Sequence, residues 1–234
     1  MPTYKLLPQP QAYGYRVGVL LLNLMETHVP GDTAHAETYD YPVLFRVVEE
    51  AVGEKVLSGD LSIRPAIVAA AQELERMGVK AISSNCGFML HHQDAVRRAV
   101  DIPVVLSSLL QLPTLARMIH PDKRIAILAG AKDLITPDLL ALAGLGPQTK
   151  TAISSIEHTR EFQNFMTADL DTDAFQARLE EEADALFERY DDIGAILLEC
   201  AIFTPYAAAL RQRYGVPTAD FVSLINYAHG LSFR

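Results

Sequence analysis

The strongest constraint on the fold of this chain is an internal repeat. When the sequence is aligned with itself so that Cys86 meets Cys200, a series of apolar residues and a proline coincide. The coinciding pairs are Val79 with Ile193, Ala81 with Ala195, Ile82 with Ile196, Ala95 with Ala209, Val96 with Leu210, Arg97 with Arg211 and Pro103 with Pro217. Each segment is read as a helix, a strand, the cysteine, a second helix and a further apolar stretch. A unit repeated at this length predicts a chain built from two related halves.

Strands and helices are predicted to alternate along the chain. Short apolar runs at residues 16–22, 79–84, 124–129 and 193–199 are typical of buried strands. Helical patterns stand between them, as from Pro65 to Met77. Such alternation predicts parallel sheets with helices on both faces. We therefore expect an α/β fold of two pseudo-symmetric parallel-sheet halves, with the active site in the cleft between them.

The boundaries of the halves follow from the prolines and from the repeat. Pro113 and Pro121 punctuate the region between the two repeated segments. We expect a first lobe at residues 1–112, a second lobe at 113–217, and a final segment, 218–234, that packs back on the first lobe.

One helix is predicted from its end signals. Thr204 would be its N-cap, Pro205 would lie in its first turn, and Gly215 would follow its last turn. Residues 36–54, in contrast, give no clear pattern of secondary structure.

Composition argues against several classes of protein. A formal net charge of −9 argues against binding to nucleic acid or to an anionic membrane, although a locally positive pocket still allows an acidic small molecule. No stretch approaches the roughly 18 uninterrupted apolar residues of a membrane span. Residues 1–8 lack the long apolar run of a secretory signal. We therefore expect a cytoplasmic protein with reduced thiols.

No cofactor or metal site is predicted. The two cysteines form no Cys-x-x-Cys pair, and a structural zinc site needs more ligands near them. His91 and His92 are adjacent on a predicted helix, so their side chains point about 100° apart. The glycines form no phosphate-binding pattern.

Cys86 and Cys200 are the candidate catalytic residues. Both follow a predicted strand, and ligands of parallel α/β sheets bind at the carboxyl ends of the strands. Two thiols across a cleft could remove a proton from one face of a carbon and deliver one to the other. Nearby helix N-termini could lower the pKa of the thiols, and backbone N–H groups could disperse the charge of a carbanion. The alternative is that each cysteine is a small buried apolar residue.

Polar residues beside the cysteines are candidates for substrate binding. Asn23 ends the first strand and either points into the cleft or caps a loop. Ser84 and Asn85 either bind a carboxylate or satisfy backbone groups in the turn. Glu199 would raise the pKa of a neighbouring thiol, and strand alternation allows its side chain to point elsewhere.

Several motifs resemble those of the aspartate/glutamate racemase superfamily, over nearly the whole chain. The motifs are Pro30-Gly31-Asp32, Pro42-Val43, Ser84-Asn85-Cys86-Gly87-Phe88-Met89, Glu161-Phe162-Gln163, Leu198-Glu199-Cys200-Ala201, Pro205-Tyr206-Ala207 and Leu224-Ile225-Asn226. The resemblance implies an enzyme that needs no cofactor, uses two cysteines as acid and base on a small carboxylate-like substrate, and forms a dimer. It also implies that Gly87, Phe88 and Ala201 contact the substrate.

The chain departs from the superfamily pattern next to both cysteines. Many members have threonine directly after the second cysteine, where Ala201 stands here, and Asn-Thr after the first, where Gly87-Phe88 stands. Backbone N–H groups remain, but hydroxyl contacts to a carboxylate are lost. Together with Ile202 and Phe203, Phe88 favours a less polar substrate than aspartate or glutamate.

The predicted function is that of a racemase or epimerase, with Cys86 and Cys200 as opposed acid and base at a carbon next to a carboxylate or carbonyl. Three alternatives stay open. Maleate isomerases and arylmalonate decarboxylases resemble this superfamily, and the latter need only one cysteine. A non-catalytic protein could use the same cleft to bind a small molecule.

Overall fold

The computed structural model describes residues 13–232 together with Thr3 and Leu6. Most of residues 1–8, which lack the apolar run of a secretory signal, lie outside the described part of the chain. The described chain forms two four-stranded sheets, and every strand pair in them is parallel. The strands are β1 Val17–Leu22, β2 Val43–Val48, β3 Ala81–Ser84, β4 Val104–Val105, β5 Arg124–Ala129, β6 Thr151–Ser155, β7 Ile193–Leu198 and β8 Thr218–Ala219.

Helices connect the strands, as the alternating pattern predicts. They are α1 Gly53–Leu57, α2 Arg64–Arg76, α3 Gln93–Arg97, α4 Leu112–Met118, α5 Pro137–Leu142, α6 Arg160–Thr167, α7 Thr172–Arg189, α8 Ala207–Tyr214 and α9 Phe221–Ser232. Short 3-10 helices also occur, and two of them follow the cysteines at Gly87–His92 and Ala201–Tyr206. No helix in the described part of the chain is long and apolar enough to cross a membrane.

The two sheets have the same topology. Their strand orders are β2-β1-β3-β4 and β6-β5-β7-β8, so each strand of the first sheet has a counterpart at the same place in the second. The repeat seen in the sequence corresponds to β3 through β4 in one half and β7 through β8 in the other. The prediction of an α/β fold with two pseudo-symmetric parallel-sheet halves is therefore confirmed.

Apolar residues from both halves form one core. The largest cluster joins Leu20 and Ile82 of the first sheet to Ile127 and Leu197 of the second. A second cluster lies under α7 and α8, where Phe175 and Phe203 are buried. Because the halves share apolar contacts, their relative position is set by packing rather than by the linker alone.

The C-terminal segment is divided between the two halves. Strand β8 pairs with β7, so the second sheet continues past residue 217, where we expected the second lobe to end. Helix α9 packs on β3 and β4 of the first sheet, and Ile225 is fully buried there beside Val17 and Val19. The division of the chain into two domains stays a prediction.

The prediction that Thr204 is an N-cap is wrong. The N–H of Phe203 already donates to the carbonyl of Cys200, so the chain turns into a 3-10 helix before Thr204 is reached. Thr204 lies inside that helix, and the residue that directly precedes α8 is Tyr206. The other end of α8 is as predicted, because Gly215 follows it in the left-handed region at φ +65°.

Candidate active site

The two cysteines occupy equivalent places in the two halves. Cys86 follows β3 and Cys200 follows β7, and each directly precedes a 3-10 helix. Both are free thiols that line one cavity of about 280 Å³. The structure thus brings together the residues that the repeat singled out. Their role in catalysis stays a prediction.

The cavity has apolar and acidic walls. Its apolar side chains are Leu22, Leu24, Leu57, Phe88, Ala131, Phe162, Phe165, Met166 and Ile202. Its carboxylates are Glu26, Glu157 and Glu199. Lysine, arginine and histidine do not occur among the described residues that line it. A ligand in this cavity therefore meets negative rather than positive side chains.

The surroundings raise the pKa of both thiols. Burial raises the pKa of Cys86, the Glu199 carboxylate raises it further, and the N–H groups of Phe88 and Met89 oppose this. Burial likewise raises the pKa of Cys200. The N–H groups of the short 3-10 helices act in the expected direction and lower both pKa values, but they do not offset the loss of solvent.

Glu199 points into the cavity rather than away from it. Its carboxylate accepts the N–H of Gly130 at 2.9 Å, and burial raises its pKa to about 7. The chain leaves β7 at Leu198, so strand alternation does not govern Glu199 and Cys200, and both line the cavity. Gly87 makes room for this carboxylate, since a Cβ there would overlap it. In the sequence, a glycine directly after Cys86 and a glutamate directly before Cys200 were the two features that could have indicated this contact.

Asn85 and Phe88 also line the cavity. The Oδ1 of Asn85 accepts the N–H of Leu22 at 3.0 Å, which ties the turn after β3 to the end of β1. Phe88 is buried and contributes to the apolar wall. These two are the candidate binding residues whose positions fit direct contact with a ligand.

Three other candidates do not line the cavity among the described residues. Ser84 is buried, and its hydroxyl donates to the carbonyl of Leu106, so it satisfies the backbone instead. Gly87 leaves space for Glu199, as described above. Ala201 is buried in the 3-10 helix that follows Cys200. Their positions therefore do not favour direct contact with a substrate in the cavity.

Asn23 is turned away from the cavity. Its Nδ2 donates to the carbonyl and the carboxylate of Glu49 at 3.0 and 3.3 Å. The neighbours Leu22 and Leu24 both line the cavity, but Asn23 does not. The interpretation of Asn23 as a residue of the cleft is wrong.

Glu26 is a second acidic residue that the sequence did not indicate. It lines the cavity, and burial raises its pKa to about 6, against the effect of His28. His28 lies between two carboxylates, with Nε2 at 4.0 Å from Glu26 and Nδ1 at 3.3 Å from Asp32. Across residues 13–232, with Thr3 and Leu6, no three histidine, cysteine or acidic side chains are grouped to hold a metal ion.

The fold and the paired cysteines define the class of this protein. The sequence profile of the Asp/Glu/Hydantoin racemase family matches residues 34–225, and the chain therefore belongs to that family. This confirms the resemblance found in the sequence motifs.

Relatives with curated names are lyases. Dimethylsulfoniopropionate lyase 7 of Emiliania huxleyi (strain CCMP1516) is 28% identical over 221 residues, which cover 90% of this chain and 65% of that protein. Dimethylsulfoniopropionate lyase of Durusdinium sp. clade D is 29% identical over 215 residues, which cover 88% of this chain and 71% of that protein. The chain thus spans about two thirds of the length of these relatives.

Solved structures with this fold include a racemase and a decarboxylase. Allantoin racemase from Pseudomonas fluorescens superposes with a TM-score of 0.65 at 17% identity, covering 92% of this chain and 90% of that one. Unliganded arylmalonate decarboxylase superposes with a TM-score of 0.62 at 18% identity, covering 93% and 92%. At these identities the likeness establishes the fold.

Proposed function

We propose that this protein is an enzyme that needs no cofactor and moves a proton at a carbon next to a carboxylate or carbonyl, as a racemase or epimerase does. Cys86 and Cys200 are its acid and base. The observation that carries this proposal is that two thiols from equivalent positions of the repeat line one cavity.

Opposed thiols suit inversion at a carbon. One cysteine, as thiolate, takes the proton from one face, and the other, as thiol, delivers a proton to the opposite face. The N–H group of Phe88 lies beside the thiol of Cys86, and that of Ile202 beside the thiol of Cys200, where they would stabilise a thiolate. Asn85 has its carbonyl engaged by Leu22, which leaves its amide nitrogen to donate to the substrate.

Hydrogen exchange tests this function directly. The protein is incubated in deuterium oxide with amino acids, hydantoins, hydroxy acids and dicarboxylates, and α-proton signals are followed by NMR. We expect enzyme-dependent loss of an α-proton signal, reduced by at least about 100-fold in Cys86→Ser and in Cys200→Ser, since a positioned acid or base contributes about 10²–10⁴. Full exchange in either folded variant would contradict the assignment of that cysteine.

A lyase is the second candidate, favoured by the names of the curated relatives. In a propionate that carries a sulfonium group, loss of the proton next to the carboxylate can expel the sulfonium as a neutral sulfide. The same base would then give an unsaturated carboxylate instead of an inverted carbon. Aromatic and acidic cavity walls are compatible with a cationic group.

Product analysis separates these reactions. Dimethylsulfoniopropionate is added to the panel, and released sulfide is measured by gas chromatography. Carbon dioxide from an arylmalonate would indicate a decarboxylase, and fumarate from maleate a cis-trans isomerase. Thermal stabilisation by a compound that is neither exchanged nor converted would indicate a binding protein.

A further inference from the structure

Glu199 lines the same cavity as both thiols, and its charge raises the pKa of each of them. Its Oε2 and the Sγ of Cys200 lie 3.7 and 3.3 Å from the point where a Cβ on Gly130 would stand. Its Oε1 lies against Gly87, the residue after Cys86. The side chain is buried, yet it lines the cavity that both thiols line. The charge of this carboxyl group therefore affects the ionisation of both cysteines.

The groups that face Glu199 are neutral or acidic. Cys86, Cys200 and Glu26 line the cavity with it, and so does Glu157, while Gly130 supplies a backbone N–H. No cationic side chain is present among the described lining residues. In such surroundings one negative charge is tolerated, and a second adds repulsion to the loss of solvation.

We propose that Glu199 and the two cysteines share one negative charge, which Glu199 holds at rest and gives up by taking the proton of the cysteine that becomes the base. The S–H bond of that cysteine breaks, an O–H bond forms on the carboxylate, and the net charge of the site does not change. This inference rests on the proposed function, in which one thiolate and one thiol are needed together. Glu199 acts through the cysteines and not on the substrate, so it is a positioning residue.

Sharing of one negative charge between Glu199 and the two cysteines determines how the thiolate fraction changes with pH. Below the pKa of Glu199, the site holds a carboxylic acid and two thiols, and raising the pH increases the fraction that carries one charge. Above about pH 7, where Glu199 ionises, a fixed share of the charge lies on sulfur. The thiolate fraction then stops rising with pH, because more thiolate would require a second negative charge.

Thiol alkylation measures this fraction without any substrate. The rate of modification of Cys86 and Cys200 by iodoacetamide is followed by mass spectrometry between pH 5 and pH 9. We expect the wild-type rate to rise and then level off near pH 7. In Glu199→Gln, which keeps an oxygen to accept the Gly130 N–H, the rate should continue to rise by about tenfold per pH unit and exceed the wild-type rate about tenfold at pH 8.

Matched variants identify the carboxyl group responsible. Glu188→Gln makes the same change of charge on the exposed end of α7. The alkylation rate of this variant should level off near pH 7, as that of the wild type does. Glu26→Gln should also level off, because Glu26 titrates at about 6 and is not the proposed partner. Glu199→Asp retains a carboxylate and should retain the levelling.

The outcomes keep this inference separate from the proposed function. A wild-type rate that rises through pH 9 without levelling contradicts the sharing, and no variant is needed for that result. Slower alkylation in folded Glu199→Gln than in the wild type at pH 8 contradicts it as well. Levelling that depends on Glu199, in a protein that exchanges no α-proton, would support the sharing and overturn the proposed function.

Discussion

At the scale of single residues, the environment of Glu199 shows how the fold changes chemistry. A glutamate normally ionises near pH 4.5, but burial raises the pKa of this one to about 7. Its folded-state pKa lies above that of the unfolded chain, so the native state binds more protons between these two values. The stability that protonated Glu199 contributes is complete below pH 4.5 and is lost as the pH rises to 7.

This linkage predicts a pH-dependent stability. Between pH 4.5 and pH 7.5 the wild type should lose on the order of 3 kcal/mol of unfolding free energy relative to Glu199→Gln, because one pKa unit corresponds to about 1.4 kcal/mol. Urea denaturation of both proteins at several pH values measures the difference. Glu188→Gln serves as the control, and parallel curves for the wild type and Glu199→Gln would contradict the buried ionisation.

At the scale of elements, the end of α8 could be predicted from the sequence, but its beginning could not. Gly215 ends α8 because its left-handed backbone strongly favours glycine. The start of α8 was misplaced because a 3-10 helix precedes it, and the signals of Thr204 and Pro205 fall inside that turn. Strand β5 was predicted closely, since an apolar run is a local signal. Strand β2 was not, because it lies within residues 36–54, where the sequence gives no clear pattern.

A pair of glycine substitutions tests this distinction. Gly215→Ala should reduce the free energy of unfolding by about 1 kcal/mol, because a Cβ there meets no atom but strains the left-handed backbone. Gly230→Ala lies within α9 and also meets no atom within 4 Å, so it should stabilise by about 0.5–1 kcal/mol. Chemical denaturation measures both changes, and equal signs for the two would contradict the role of the backbone conformation.

At the scale of the whole molecule, α9 connects the end of the second half to the first sheet. Ile225 is fully buried against Val17, Val19 and Ala81, while Tyr227 on the same helix is 65% exposed. The apolar cluster therefore holds α9, which follows the last strand of the second sheet, against the first sheet. Loss of this contact should affect the stability of the entire protein.

The expected effect is large for the buried residue and small for the exposed one. Ile225→Ala should cost about 2–5 kcal/mol, since it leaves a cavity in a closely packed cluster. Tyr227→Ala should stay within about 0.5 kcal/mol. Urea unfolding followed by circular dichroism provides both values. If the Ile225→Ala protein were as stable as the wild type, the packing of α9 on the first sheet would not contribute to stability.

The positions of Cys86 and Cys200 and the class of the fold could be predicted from the sequence alone. They depend on local patterns, which are apolar runs, helix signals and the alignment of one half with the other. Tertiary structure decided the rest of the site. It turned Asn23 toward Glu49, engaged Ser84 with Leu106, and placed Glu199 in the space that Gly87 leaves. The raised pKa of the thiols also depends on burial and on charges from distant parts of the chain. A linear sequence does not contain these as local signals.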